Sequence, residues 1–266
     1  MNADPHSGGE SVRRFSDRAE YYARYRPSYP AAVLDYLTAE FGLAPRHQVA
    51  DVGSGTGILT ELLLRGGHTV YAVEPNGEMR RAAERSLGHY PAFHSIAGTA
   101  EETTLSPASV DWITSAQAFH WFDIDRARRE WGRVLRRDPA ESAGGRIALL
   151  WNIRREDSTF LEGYERLWRE FGSDYLAVKQ RAAESSGRLA SFFRSGGYAR
   201  RSFPNRQVLD LEGLRGHTLS ASFMPTEGHP RYPTMLAALS ELFHRHASGG
   251  QVVLEYDTHL YVGRLP

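Results

Sequence analysis

The stretch VADVGSGTGILTELLL, residues 49–64, sets Gly53, Gly55 and Gly57 at alternate positions between an apolar run and a leucine-rich one. Bare backbone at such a junction permits a tight turn and lets a ligand approach the chain closely. An acid, Asp51, ends the first run, and a second acid, Glu74, ends the next run 23 positions on. A carboxylate in that place can accept both hydroxyls of a ribose, as it does in dinucleotide folds. The G-x-G-x-x-G fingerprint is not met, since the third glycine comes one residue early, and no Lys-Ser or Lys-Thr follows to make a phosphate loop. Asp51 keeps two readings, a structural cap on the turn and a direct ligand contact.

A second constellation is SAQAFHWFD, residues 115–123. It follows an apolar run read as a strand, and ligands of open α/β sheets sit beyond the carboxyl ends of strands, so Gln117, His120 and Trp121 are placed to face one. His120 is the available general base; its bland alternative is a packed, hydrogen-bonded imidazole between two aromatics. Arg154 and Arg155 read as solvated, and matter only if a substrate carries a carboxylate. The chain has no cysteine, and its 11 histidines form no H-x-x-x-H pair beside a plausible third ligand, so no metal site is expected.

Elements must hold these residues in place. The chain has 266 residues, 41% of them hydrophobic, with 32 basic and 32 acidic side chains, which suits one large domain and gives no general field for nucleic acid or an anionic membrane. No run approaches the roughly 20 apolar residues that span a bilayer, and the start lacks a secretory apolar core, so a cytoplasmic protein is expected. Through the first half, short apolar runs (HQVADVG, HTVYAVE, AFHSIAG, VDWITSAQ, GRIALLWN) alternate with segments of helical period, as a parallel sheet with helices on both faces requires. After Asn152 the pattern turns helical through Phe160–Phe171 and again near Leu189, the expected helical cap. RRSFPNRQVLDL is extended, with Pro204 weakening central pairing; Tyr232–Phe243 is helical; QVVLEYDTHLYVGRL alternates as one long strand.

VADVGSGTG, VYAVEPN, GTAEETTL and VDWITSAQAFHWF resemble the successive motifs of class I S-adenosylmethionine-dependent methyltransferases, in particular the methyltransferase type 11 group. FSDRAEYYARYRPSYP, residues 15–30, resembles the lid of trans-aconitate-methyltransferase-like members. The resemblance implies an α/β, Rossmann-like sheet of seven strands, mostly parallel with an antiparallel last strand. It further implies that the backbone at Gly53, Ser54 and Gly55 holds the methionine moiety and that Asp51 orients it. Glu74 would take the ribose hydroxyls, Pro75 and Asn76 would border the adenosine, and Ala100 with Glu101 would flank the adenine. Gln117 and Arg26 complete the expected cofactor contacts, Arg26 because Pro27 disfavours helix there. Trp121, Trp151 and Tyr164 are the expected acceptor contacts. The expected organisation is a flexible leader over 1–11, lid and cofactor core over 12–152, a helical cap insertion over 153–200, and the rest of the sheet over 201–266. The expected activity is methyl transfer to a small molecule. A cofactor-binding protein that catalyses another reaction, such as a cyclisation, and a non-catalytic binding module are the alternatives.

Overall fold

The computed structural model describes residues 18–136, 145–194 and 197–265; the leader expected over 1–11 and the start of the lid lie outside them. Two helices open the described chain, α1 (Ala19–Tyr25) and α2 (Ala31–Phe41). Then come β1 (Gln48–Val52), α3 (Ile58–Arg65), β2 (Thr69–Val73), α4 (Gly77–Leu87), β3 (Phe93–Ile96), β4 (Trp112–Ala116), α5 (Ile124–Val134) and β5 (Arg146–Arg154). The second half holds α6 (Thr159–Phe171), α7 (Tyr175–Phe193), β6 (Tyr198–Leu209), α8 (Leu211–Leu219), α9 (Tyr232–His246) and β7 (Val252–Arg264).

The seven strands form one sheet in the order β3-β2-β1-β4-β5-β7-β6, with β7 antiparallel to both of its neighbours and the remaining pairs parallel. Strand periodicity sorts the apolar side chains onto two faces. Val49 packs with α2 and α3 through Val33, Leu37, Leu59 and Leu63, while Ala50 faces α5 and the end of α7 through Ala127, Trp131, Phe192 and Phe193. Pro204, which has no N–H for a second ladder, lies on the edge strand β6. Asn76, Asp123, Ser158 and Asp210 begin α4, α5, α6 and α8 by accepting backbone N–H bonds from the first turn.

The helical layer departs from the expected 153–200 insertion. A third core joins Phe160, Tyr164, Trp168 and Phe171 of α6 to Leu214 of α8, Met235, Leu239 and Phe243 of α9, and Leu254 and Tyr256 of β7. The end of α7 goes elsewhere, placing Leu189, Phe192 and Phe193 on the sheet. One apolar stripe on α6 needs a partner surface larger than α7 alone provides, and the C-terminal helices supply it. Helix α1 rests on this layer and on α4 together: Tyr22 packs near Met79 and Ala82, and Tyr25 lies against Gly216, where an added Cβ would stand 2.2 Å from the ring.

Candidate active site

The sheet reverses its strand order between β1 and β4, and the crevice beyond their carboxyl ends is where such sheets place ligands. Gly53 leaves β1 at φ +70°, and a Cβ there would come 2.6 Å from that of Ala118 on the turn after β4. Gly55 follows at φ +58° with no protein atom within 4 Å of where its Cβ would be. Packing does not explain the second glycine, whereas a left-handed turn bordering a ligand space does. Glu74 crosses from β2 to meet this turn. One carboxylate oxygen accepts from Gly55 N–H and the other from Asn76 N–H, both at 2.9 Å. Each oxygen has a second lone pair to offer, and burial raises the carboxyl's pKa in spite of those two bonds.

Gly53, Gly55, Glu74, Pro75, Asn76, Met79, Ala118 and Phe122 border one cavity with Tyr22, Gln117 and Trp121. A second cavity of about 270 Å³ adjoins it, and the same three residues, Tyr22, Gln117 and Trp121, line both. Gln117 makes the divide at φ +57°, a strained angle for a residue with a side chain. Two bonds hold it there: its N–H donates to Leu150 O at 3.0 Å and its amide to Asn152 O at 3.1 Å. His120 and Trp121 sit on a single 3-10 turn, Phe119–Trp121, and Arg188 of α7 clamps that turn by donating to the carbonyls of His120 and Phe122 at 3.0 and 2.6 Å.

The second cavity is walled by Trp151, Trp168, Tyr175, Phe223 and Tyr256, with Arg26, Arg154, Lys179, His120 and His217 among them. His217 is fully enclosed; Tyr164 meets its Nδ1 at 2.8 Å and Tyr256 its Nε2 at 3.1 Å. Burial, with Arg26 and Arg154 adding, holds its pKa well below the usual imidazole range, so the ring is neutral.

Several expected contacts stand elsewhere. Asp51 lies below the cavity, 1% exposed, with its oxygens taken by Thr60 at 2.7 Å and Thr114 at 2.9 Å, which is the capping reading. Ser54 serves the turn, donating to Val73 O and accepting from Gly57 N–H. Ala100 is buried, its carbonyl taken by the Trp131 indole at 3.0 Å, and Glu101 accepts from Asp123 N–H at 2.8 Å; neither lines the cavity, because both tie the loop after β3 to α5. Arg26 lines the second cavity and not the first. Tyr164 is sealed in the α6 core with its hydroxyl shared between His217 and Thr218, so it touches the cavity only through His217. Arg154, read from sequence as solvated, is 10% exposed and paired at 2.8 Å with Glu165. Tyr22, Met79, Phe122 and Tyr256 line cavities without having been singled out; the tyrosine-rich lid was the signal for Tyr22, and none marked Tyr256.

Among the described residues no cluster of three His, Asp or Glu could hold a metal, and no helix is long and apolar enough to cross a membrane. The strand order, the glycine turn and the Glu74 carboxylate beside it match the arrangement with which open α/β sheets receive nucleosides. Residues 50–139 match the family model for a methyltransferase domain. An uncharacterized methyltransferase of Mycobacterium tuberculosis is 42% identical over 142 residues, 53% of each chain, so this chain spans about half the length of that relative. An uncharacterized methyltransferase-like protein of Schizosaccharomyces pombe is 27% identical over 91% of each chain. A solved structure from Anaeromyxobacter dehalogenans shares the fold at TM-score 0.60 and 24% identity, over 91% of this chain and 99% of that one. The likeness to methyltransferases thus rests on the domain matched over residues 50–139 and, for the chain as a whole, on the shared fold.

Proposed function

We propose that the protein transfers a methyl group from S-adenosylmethionine to a small molecule held in the second cavity. The observation that carries this reading is the junction itself: Tyr22, Gln117 and Trp121 line both cavities, so a donor bound on one side presents its reactive end to the other. The residues present fit the donor. Glu74 has free acceptor positions for two ribose hydroxyls, Pro75, Asn76 and Met79 offer a mixed wall for the base, and the Gly53–Gly55 backbone borders the remaining tail. When bound, the sulfonium supplies the driving force for an in-line displacement.

The protein's own part is alignment and exclusion of water. Gln117 and Trp121 fix the line between the cavities, and Tyr22 of α1 covers it from above. His120 lies on the acceptor side, where its imidazole can take a proton from a hydroxyl or an acidic carbon. The aromatic wall and the balanced net charge favour a small organic acceptor and a soluble, cytoplasmic setting. Incubation with methyl-labelled donor and a low-molecular-mass cell extract tests the reading. Label should appear in a small molecule heavier by one methylene, with demethylated donor formed in equal amount. A product of unchanged mass with no donor consumed would favour the non-methylating alternative.

A further inference from the structure

The acceptor cavity carries more positive charge than its own acids balance. Its carboxylates are Glu156 and Glu165; the cations on its wall are Arg26, Arg154 and Lys179. Glu165 serves three cations, Arg154 at 2.8 Å, Lys179 at 2.7 Å and Arg169 at 3.0 Å, and Glu156 pairs with Lys179 at 2.5 Å. Burial would raise the Glu165 carboxyl, but hydrogen bonds from Lys179, Tyr175 and Arg169 hold it at about 2, so it is ionised and fully committed.

Among the described residues no carboxylate oxygen lies within 4.0 Å of the Arg26 guanidinium. Lys179 and Arg169 are 40% and 51% exposed and screened by water. Among the described residues the inward-facing charges are therefore Arg26 and Arg154 against Glu165, one positive charge in excess. The Nε–H groups of both arginines are buried and meet no acceptor among the described residues. Both guanidiniums also face one ring, standing 6.0 and 4.3 Å from the centroid of Trp168. Buried donors without acceptors, beside an excess charge and flat aromatic walls, describe a site completed by a planar monoanion.

We propose that the acceptor is an organic carboxylate with a flat apolar body, its carboxylate held by Arg26 and Arg154 and its body packed among Trp121, Trp151 and Trp168. The proposal rests on the reading of the second cavity as the acceptor site. A carboxylate matches the single excess charge and the planar guanidinium forks; a phosphate dianion would leave one charge unbalanced.

Protein saturated with S-adenosylhomocysteine is titrated calorimetrically with 2-naphthoate, 2-naphthamide and 2-naphthyl phosphate. Naphthoate should bind about tenfold or more tightly than either other probe. Arg26→Gln should remove about tenfold of the naphthoate affinity and leave the amide unchanged. Arg154→Gln breaks the pair with Glu165 and endangers folding, so Arg154→Lys, which keeps the charge and loses the fork, is the second variant and should also weaken naphthoate. No preference for the acid, whether both naphthoate and amide bind or neither does, overturns the proposal. So does tighter binding of the phosphate, or naphthoate affinity unchanged in Arg26→Gln. The S-adenosylhomocysteine titration of the same samples separates the two levels: failure there strikes the methyl-transfer reading, whereas its success without anion preference strikes this inference alone.

Discussion

Asp51 is buried beside the glycine turn, and its ionisation is coupled to folding. Burial raises its pKa to about 6 despite the hydrogen bonds from Thr60 and Thr114, while an unfolded aspartate titrates near 3.9. Between those values the native state holds a proton that the unfolded chain has released. Asp51 therefore favours folding fully below about pH 4, and that contribution is lost as pH rises through about 6, a change of roughly 3 kcal/mol. Asp51→Asn cannot titrate. The stability difference between wild type and variant, from urea midpoints at pH 4 and pH 7.5, should shift by about that amount against the wild type. A difference independent of pH would mean that Asp51 is not held as described. His120 belongs to the same scale. If it is the base, His120→Gln should slow transfer by roughly 10²–10⁴-fold and leave donor affinity intact, because the proton moves only in the transition state. Full activity in the variant would make the imidazole a wall of the cavity and nothing more.

At the scale of elements, the site depends on two that come from outside the parallel sheet. Helix α1 is fastened to the helical layer: Arg18 donates to the carbonyls of Leu219, Ala221 and Met224, Gln207 donates to Tyr25 O, and the Tyr25 hydroxyl reaches Glu212. Amide exchange over 19–26 should slow when S-adenosylhomocysteine binds beneath Tyr22, and equal exchange with and without ligand would make α1 fixed structure. Helix α7 reaches in through Arg188. Arg188→Met frees the turn bearing His120 and Trp121, and should lower turnover by roughly 10–10²-fold with a small change in urea midpoint; unaltered turnover would show that the turn holds its own shape. The sequence displayed these elements unevenly. The alternation was legible because β1, β2, β4 and β5, largely buried, read as short apolar runs between turn residues, while the half-exposed β3 was placed by its position in the rhythm. Helix α8, LEGLRGHTL, was not, since Gly213 and Gly216 dilute its helical signal. Gly216 is glycine because Tyr25, far away in sequence, needs the space. Arg154 was misread for the same reason: its partner Glu165 is on another element, and only the fold makes that arginine an inward-facing charge.

For the molecule as a whole, the parallel half supplies most of the first cavity, with lining residues close to the glycine turn and the strand ends, and the later chain walls much of the second cavity by long-range packing. Glu74 and the glycine turn could be read from spacing alone, because strand ends are fixed points of the fold. Tyr256 and His217 could not, because nothing local marks a cavity assembled from α6, α8 and β7. Donor binding in the first pocket is tested by calorimetric titration of the wild type and Glu74→Ala with S-adenosylhomocysteine, using NAD as the control ligand. The expected result is saturable binding to the wild type with one ligand per chain, no binding of NAD, and a loss of roughly 1.5–3 kcal/mol in Glu74→Ala with its fold intact, from the missing charge-assisted contacts to the ribose. Unchanged affinity in the variant, or tight binding of NAD in place of S-adenosylhomocysteine, would contradict it.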